Sequence, residues 1–162
     1  MASGSDGSHA EGRYSKASGD YSSHAEGVNT TASGNFGSHA EGMNTVSSAQ
    51  ASHAEGVGSV ADGAISHAEG IYSTASGFGS HAEGQYTIAG YRAQHVFGEY
   101  NIADQGGQYA TARGNYVEIV GNGTTANARS NARTLDWSGN EILAGKLTVG
   151  AAPTNNMDVA TK

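Results

Sequence analysis

Cysteine is missing from all 162 residues, there is one proline, and aromatics make up only 7%. Without cysteine there is neither a disulfide frame nor a thiolate metal site. Lysine and arginine number 8 against 15 aspartates and glutamates, a formal net charge of −7. With no basic patch, no binding to nucleic acid or to an anionic membrane surface is expected. No apolar run approaches membrane-spanning length and no secretory leader pattern is read, so no membrane insertion is expected. Large apolar residues are scarce through residue 100, where Ser, Ala, Gly, Thr and Asn dominate. Such a stretch cannot build a thick aliphatic core, and its low hydrophobicity alone would suggest disorder.

A strict repeat argues the other way. All seven histidines sit in copies of one five-residue motif. Six copies read Ser-His-Ala-Glu-Gly, beginning at Ser8, Ser23, Ser38, Ser52, Ser66 and Ser80, and a degenerate seventh reads Gln94-His95-Val96-Phe97-Gly98. The period is 15, 15 and then 14 four times, the mark of a small unit stacked on itself. A coil of 14 residues is too short for a strand plus a helix but suffices for two short strands and two tight turns. Gly12, Gly27, Gly42, Gly56, Gly70 and Gly84 are expected at one turn, where positive φ is cheap for glycine, and Gly19, Gly34, Gly63 and Gly77 at the other. The expected fold is therefore all-β, a parallel β-roll solenoid of about 14-residue coils with like strands about 4.8 Å apart. Seven coils at that spacing would give roughly 34 Å of rigid shaft.

Strand alternation assigns the faces. Ser and Ala fit a narrow interior, which leaves His and Glu outside as two ladders. One holds His9, His24, His39, His53, His67, His81 and His95; the other holds Glu11, Glu26, Glu41, Glu55, Glu69 and Glu83. Two carboxylates about 5 Å apart repel by roughly 3 kcal/mol at an effective dielectric of 20. The pair is nevertheless identical in six copies while the following residues vary, as in Val28-Asn29, Met43-Asn44, Ile71-Tyr72 and Gln85-Tyr86. That contrast suggests a face packed against the same face of another copy. Donation from His to Glu across such an interface would raise the His pKa and lower that of Glu.

The coil length, the Ser-x-Ala-x-Gly strand and the Thr-Ala-Ser-Gly strand resemble the heads of trimeric autotransporter adhesins. That resemblance implies a left-handed roll in a homotrimer, with the His–Glu pairs, in place of the usual Val and Ile, at the three-fold interface. Tyr100-Asn101-Ile102-Ala103-Asp104, Ile119-Val120-Gly121-Asn122-Gly123-Thr124 and Thr134-Leu135-Asp136-Trp137-Ser138-Gly139-Asn140 are also similar to tail-fibre or tail-spike proteins of phages and prophages of Gram-positive bacteria. The likeness implies a structural or adhesive fibre segment on a virion tail or a cell surface, with a host-surface glycan or protein as possible receptor. The self-cleaving domain that often follows in that family has no counterpart here, so no protease residues are assigned.

Four regions are expected: the repeat head over 1–100, altered coils and a neck over 101–133, a β-hairpin over 134–152 and a linker over 153–162. Residues 109–114 and 116–121 look like altered coils, with Glu118 at an old His position. Residues 134–137 and 141–149 read as strands around Ser138-Gly139-Asn140, anchored by Trp137. A helix start near Asn156 or Asp158 is a further expectation.

Sharper functions compete with this structural one. Stacked imidazole and carboxylate suit zinc or nickel; a hydrogen-bonded ladder with no metal or cofactor is the expectation taken. Ser8, His9 and Glu11 could suggest a hydrolytic triad, but Ser and His would point to opposite faces. Thr30, Thr31, Thr45, Thr74 and Thr87 could suggest an ice-binding face, interrupted by Ser15, Ser59 and Ser73. Tyr14, Tyr21, Phe36, Tyr72, Phe78, Tyr86 and Tyr91 could stack on sugars or cover turns and seams. Asp104, Asp136 and Glu141 are the non-repeating carboxylates a sugar-cleaving spike would need, and nothing joins them. No enzyme is expected.

Overall fold

The computed structural model describes residues 1–105 and 111–146, and among them there are strands and turns but no helix. The chain winds as a parallel β-solenoid of six turns, each with two strands. The first three coils carry β1 (His9–Arg13) with β2 (Lys16–Ala17), β3 (His24–Val28) with β4 (Thr31–Ala32), and β5 (His39–Met43) with β6 (Val46–Ser47). The next three carry β7 (His53–Ala54) with β8 (Val60–Ala61), β9 (His67–Ala68) with β10 (Thr74–Ala75), and β11 (His81–Ala82) with β12 (Ile88–Ala89). Then come β13 (His95–Glu99), β14 (Tyr116–Asn122), β15 (Asn131–Asp136) and β16 (Glu141–Leu143).

Odd-numbered strands β1 to β13 stack in one sheet and even-numbered strands β2 to β12 in the other. Every repeat residue pairs with its own counterpart, His9 with His24 and Ala10 with Ala25, up to His81 with His95. Seven His-bearing rungs are six strand spacings apart, so the shaft is about 29 Å long rather than 34 Å.

The interior is built as the alternation requires. Ala17, Ala25, Ala32, Ala40, Ala54, Ala61, Ala68, Ala75, Ala82 and Ala89 are all fully buried. Serines share the core by bonding to turn carbonyls, Ser23 Oγ donating to Gly19 O at 2.7 Å and Ser38 Oγ to Gly34 O at 2.6 Å. The first strands run five residues, through the glycine that follows the Glu position, in β1, β3, β5 and β13, and stop at the alanine in β7, β9 and β11; that glycine holds φ between +90° and +111° throughout. Pairing resumes beyond it through single bridges such as Val57 to Ile71.

The two corners differ. At Gly19, Gly34, Gly63 and Gly77 φ is not positive; glycine is needed there because a Cβ would sit 1.8–2.2 Å from a carbonyl oxygen of the next coil. Positive φ at this corner falls on Asp6 and Gly7, Tyr21 and Ser22, and Phe36 and Gly37 in the longer coils. In the shorter coils it falls on Ala51, Ile65, Gly79 and Ala93 alone. The change of period from 15 to 14 is thus one left-handed residue fewer at one corner.

At the C-terminal end the two sheets stop differently. β12 has no following strand; the Asn101 side chain takes its place, accepting from Ile88 N–H at 2.8 Å and donating to Ile88 O at 3.2 Å. The other sheet continues, β14 pairing parallel to β13 with Glu118 in register with His95 and Ile119 with Val96. Ile119 is fully buried and extends the alanine core. β15 then pairs antiparallel to β14, and β16 antiparallel to β15. Trp137, at the turn between β15 and β16, donates from Nε1 to Gly114 O at 3.1 Å, with the Arg113 guanidinium 4.4 Å above its ring. Of the altered coil expected at 109–114, residues 109 and 110 lie outside the described residues, and 111–114 form no strand. Residues 147–149 and the expected linker and helix over 153–162 also lie outside the described residues.

Candidate functional site

Because His and Glu alternate with buried Ser and Ala on the same strands, all thirteen ladder residues fall on the outer face of one sheet. Exact register then stacks the imidazoles. Ring centroids from His24 to His95 are 4.6–5.0 Å apart with planes within 15° of parallel. Only the end rung departs, His9 meeting His24 at 66°. Beyond Gly84 the partner changes, with Phe97 in the Glu position 5.2 Å from the His95 ring.

Each Nε2 faces carboxylate oxygen. Within rungs the separation grows from 3.3 Å at His9–Glu11 to 3.5 Å at His24–Glu26, 3.6 Å at His39–Glu41 and 3.9 Å at His53–Glu55. Farther along, each His also meets the Glu of the preceding rung, 3.6 Å for His81–Glu69 and 3.9 Å for His95–Glu83. Beyond the first rung these distances exceed an ordinary hydrogen bond. The Nε2 atoms of His24, His39, His53, His67, His81 and His95 are shielded from solvent and have no hydrogen-bond partner. The expected hydrogen-bonded ladder is therefore absent from these six rungs of the single chain, and His9 alone reaches its Glu within hydrogen-bond distance.

His39, His53, His67 and His95 have lowered pKa values, chiefly through burial and then through repulsion from neighbouring imidazoles; the adjacent glutamates only partly oppose this. Beside the ladder runs a groove of about 450 Å³, lined by Glu41, Glu55, Glu69 and Glu83 and floored by the backbone of Gly56, Gly70, Gly84 and Gly98.

The other candidate residues have partners of their own. Ser8 Oγ donates to Ser5 O and Gly19 O, so it serves the turn, not His9. Thr30, Thr45 and Thr87 are fully buried, so these three present no surface to solvent, while Thr31 and Thr74 are half-buried. Tyr72, Tyr86 and Tyr100 stack on one another at 5.0 and 4.8 Å, as Tyr21 does on Phe36 at 4.9 Å, so much of their ring faces is already covered. Asp104 accepts from Gln94, Asn115 and the Tyr116 N–H; Asp136 closes the turn with Ser138 and Asn140; Glu141 pairs with Arg133.

Sequence reasoning missed one row. Five residues after each His stands Tyr14, Asn29, Asn44, Gly58, Tyr72, Tyr86 or Tyr100, all with positive φ. From Asn29 onward each donates its N–H to the preceding coil, Tyr86 to Ile71 O at 2.7 Å for instance. The fixed offset was the available signal.

No family model, curated protein or solved structure matches this chain.

Proposed function

We propose that the chain is a structural, adhesive fibre segment that works as a homotrimer, a non-enzymatic part of a phage tail fibre or a bacterial surface adhesin. One observation carries this reading: thirteen ladder residues form a straight, regular face on which six of the seven Nε2 atoms lack hydrogen-bond partners in the single chain. Buried polar atoms are normally satisfied, and a three-fold axis of such faces would supply the missing groups. The reading includes a left-handed coil, His–Glu ladders at the subunit interface, a neck over 101–133 and a C-terminal hairpin over 134–152. The function is geometric. A short rigid shaft presents three parallel copies of whatever contact lies at its ends, and weak contacts to a host-surface glycan or protein gain by avidity.

Light scattering at neutral pH, with and without chelator, tests association. Three chains of 16.4 kDa give about 49 kDa, the mass expected in both conditions. A species of 16.4 kDa would sink the trimer reading.

A further inference from the structure

Two facts about the ladder fit a metal better than a hydrogen-bond network. First, the Nε2 to carboxylate separations of 3.5–4.0 Å beyond the first rung are too long for hydrogen bonds. Two ligand atoms bound tetrahedrally to one zinc ion, each about 2.0–2.2 Å from it, stand roughly 3.3–3.6 Å apart. Second, six Nε2 atoms are shielded, unpartnered and turned toward carboxylates.

We propose that the His–Glu face binds first-row divalent cations of the zinc, nickel and copper class, each in a His–Glu–His set drawn from two adjacent rungs. The sets include His24, Glu26 and His39; His39, Glu41 and His53; and His67, Glu69 and His81, with ligand atoms within 4.8 Å of one another. Nitrogen and carboxylate together select this class; calcium and magnesium prefer oxygen alone. Three protein ligands leave further positions for water or for a residue from another copy. There are six such sets among the described residues, and neighbours share a histidine, so only alternate sets can fill together. The ceiling is three ions per chain. Interior sets should fill first, because the side chains of His9 and Glu11 are 61% and 60% exposed while those of His39 and Glu41 are 31% and 35% exposed. The site is complete within one chain and does not depend on trimer formation.

The test is calorimetric titration of the full, untagged chain with zinc chloride at neutral pH, repeated with calcium chloride, alongside light scattering of the same samples. Between one and three zinc ions per chain, with calcium silent, is the expected result. The variant with Glu11→Gln, Glu26→Gln, Glu41→Gln, Glu55→Gln, Glu69→Gln and Glu83→Gln keeps side-chain size, removes the carboxylate of every set and should lose zinc binding. Should it fail to fold, electron paramagnetic resonance of the copper-loaded wild type decides, because histidine ligation gives nitrogen hyperfine splitting. No zinc uptake, equal uptake of calcium, more than three ions per chain or a copper spectrum without nitrogen coupling would each overturn the proposal. A monomer that binds zinc sinks the trimer reading alone, and a trimer that binds none sinks the metal reading alone.

Discussion

At the scale of single residues the solenoid is governed by backbone crowding. A Cβ on Gly70 would lie 2.2 Å from Gly84 O, in a residue whose φ is already +98°. Gly70→Ala therefore meets a backbone clash and left-handed strain together, and is expected to cost about 3 kcal/mol or more. Ile65 is the reverse case. It is β-branched, holds φ at +59° and is 57% exposed. Ile65→Asn relieves strain without emptying the core and is expected to gain roughly 0.5–1 kcal/mol. Urea unfolding of the two variants checks both signs. The first corner's glycines were legible because a repeat fixes their places. The reason for the second corner's glycines was not, because contact with the next coil depends on how coils stack.

Among elements, the ends of the stack matter most, since each rung is satisfied only by its neighbours. β12 presents an edge that Asn101 closes by imitating one peptide group of a further strand. Asn101 is fully buried, and its side chain also donates to Ile102 O. Asn101→Ala would leave the Ile88 N–H and C=O unpaired, at about 1–3 kcal/mol for a buried group. Faster exchange of the Ile88 amide hydrogen, with β7 and β9 still protected, is the expected signature; uniform loss of protection would mean that the cap holds the whole roll. Gln94 works beside it, replacing the repeat's serine and reaching Asp104 and Tyr116 O. Both residues were visible in the sequence as breaks in the pattern, but their partners lie beyond the repeat. The degenerate copy signalled an end without showing how it was closed.

For the whole molecule, period and alternation sufficed to read the two sheets, the alanine core and the His–Glu face. They could not give the distances within that face, which decide between hydrogen bonding and ligation. The same face sets the acid response. His39, His53, His67 and His95 are held below 6.5 by burial and by one another, with Glu41, Glu55, Glu69 and Glu83 alongside. A depressed folded value leaves the unfolded chain binding more protons, so stability rises with pH between that value and 6.5. Metal-free protein is thus expected to keep its stability above about pH 7 and to lose it as pH falls through the depressed values. Urea midpoints measured with chelator from about pH 8 to about pH 5 check this; a midpoint that climbs on acidification would show that the carboxylates outweigh burial. The stacking direction has a mechanical consequence. Strands lie across the long axis, so the hydrogen bonds that join rungs run along it. Bending must compress or stretch both sheets at once and meets stiff resistance. Tension applied at one end loads a single rung at a time, and each 14-residue coil that opens frees about 48 Å of chain in place of one strand spacing. The shaft is a stiff rod that, under pull, unzips in equal steps.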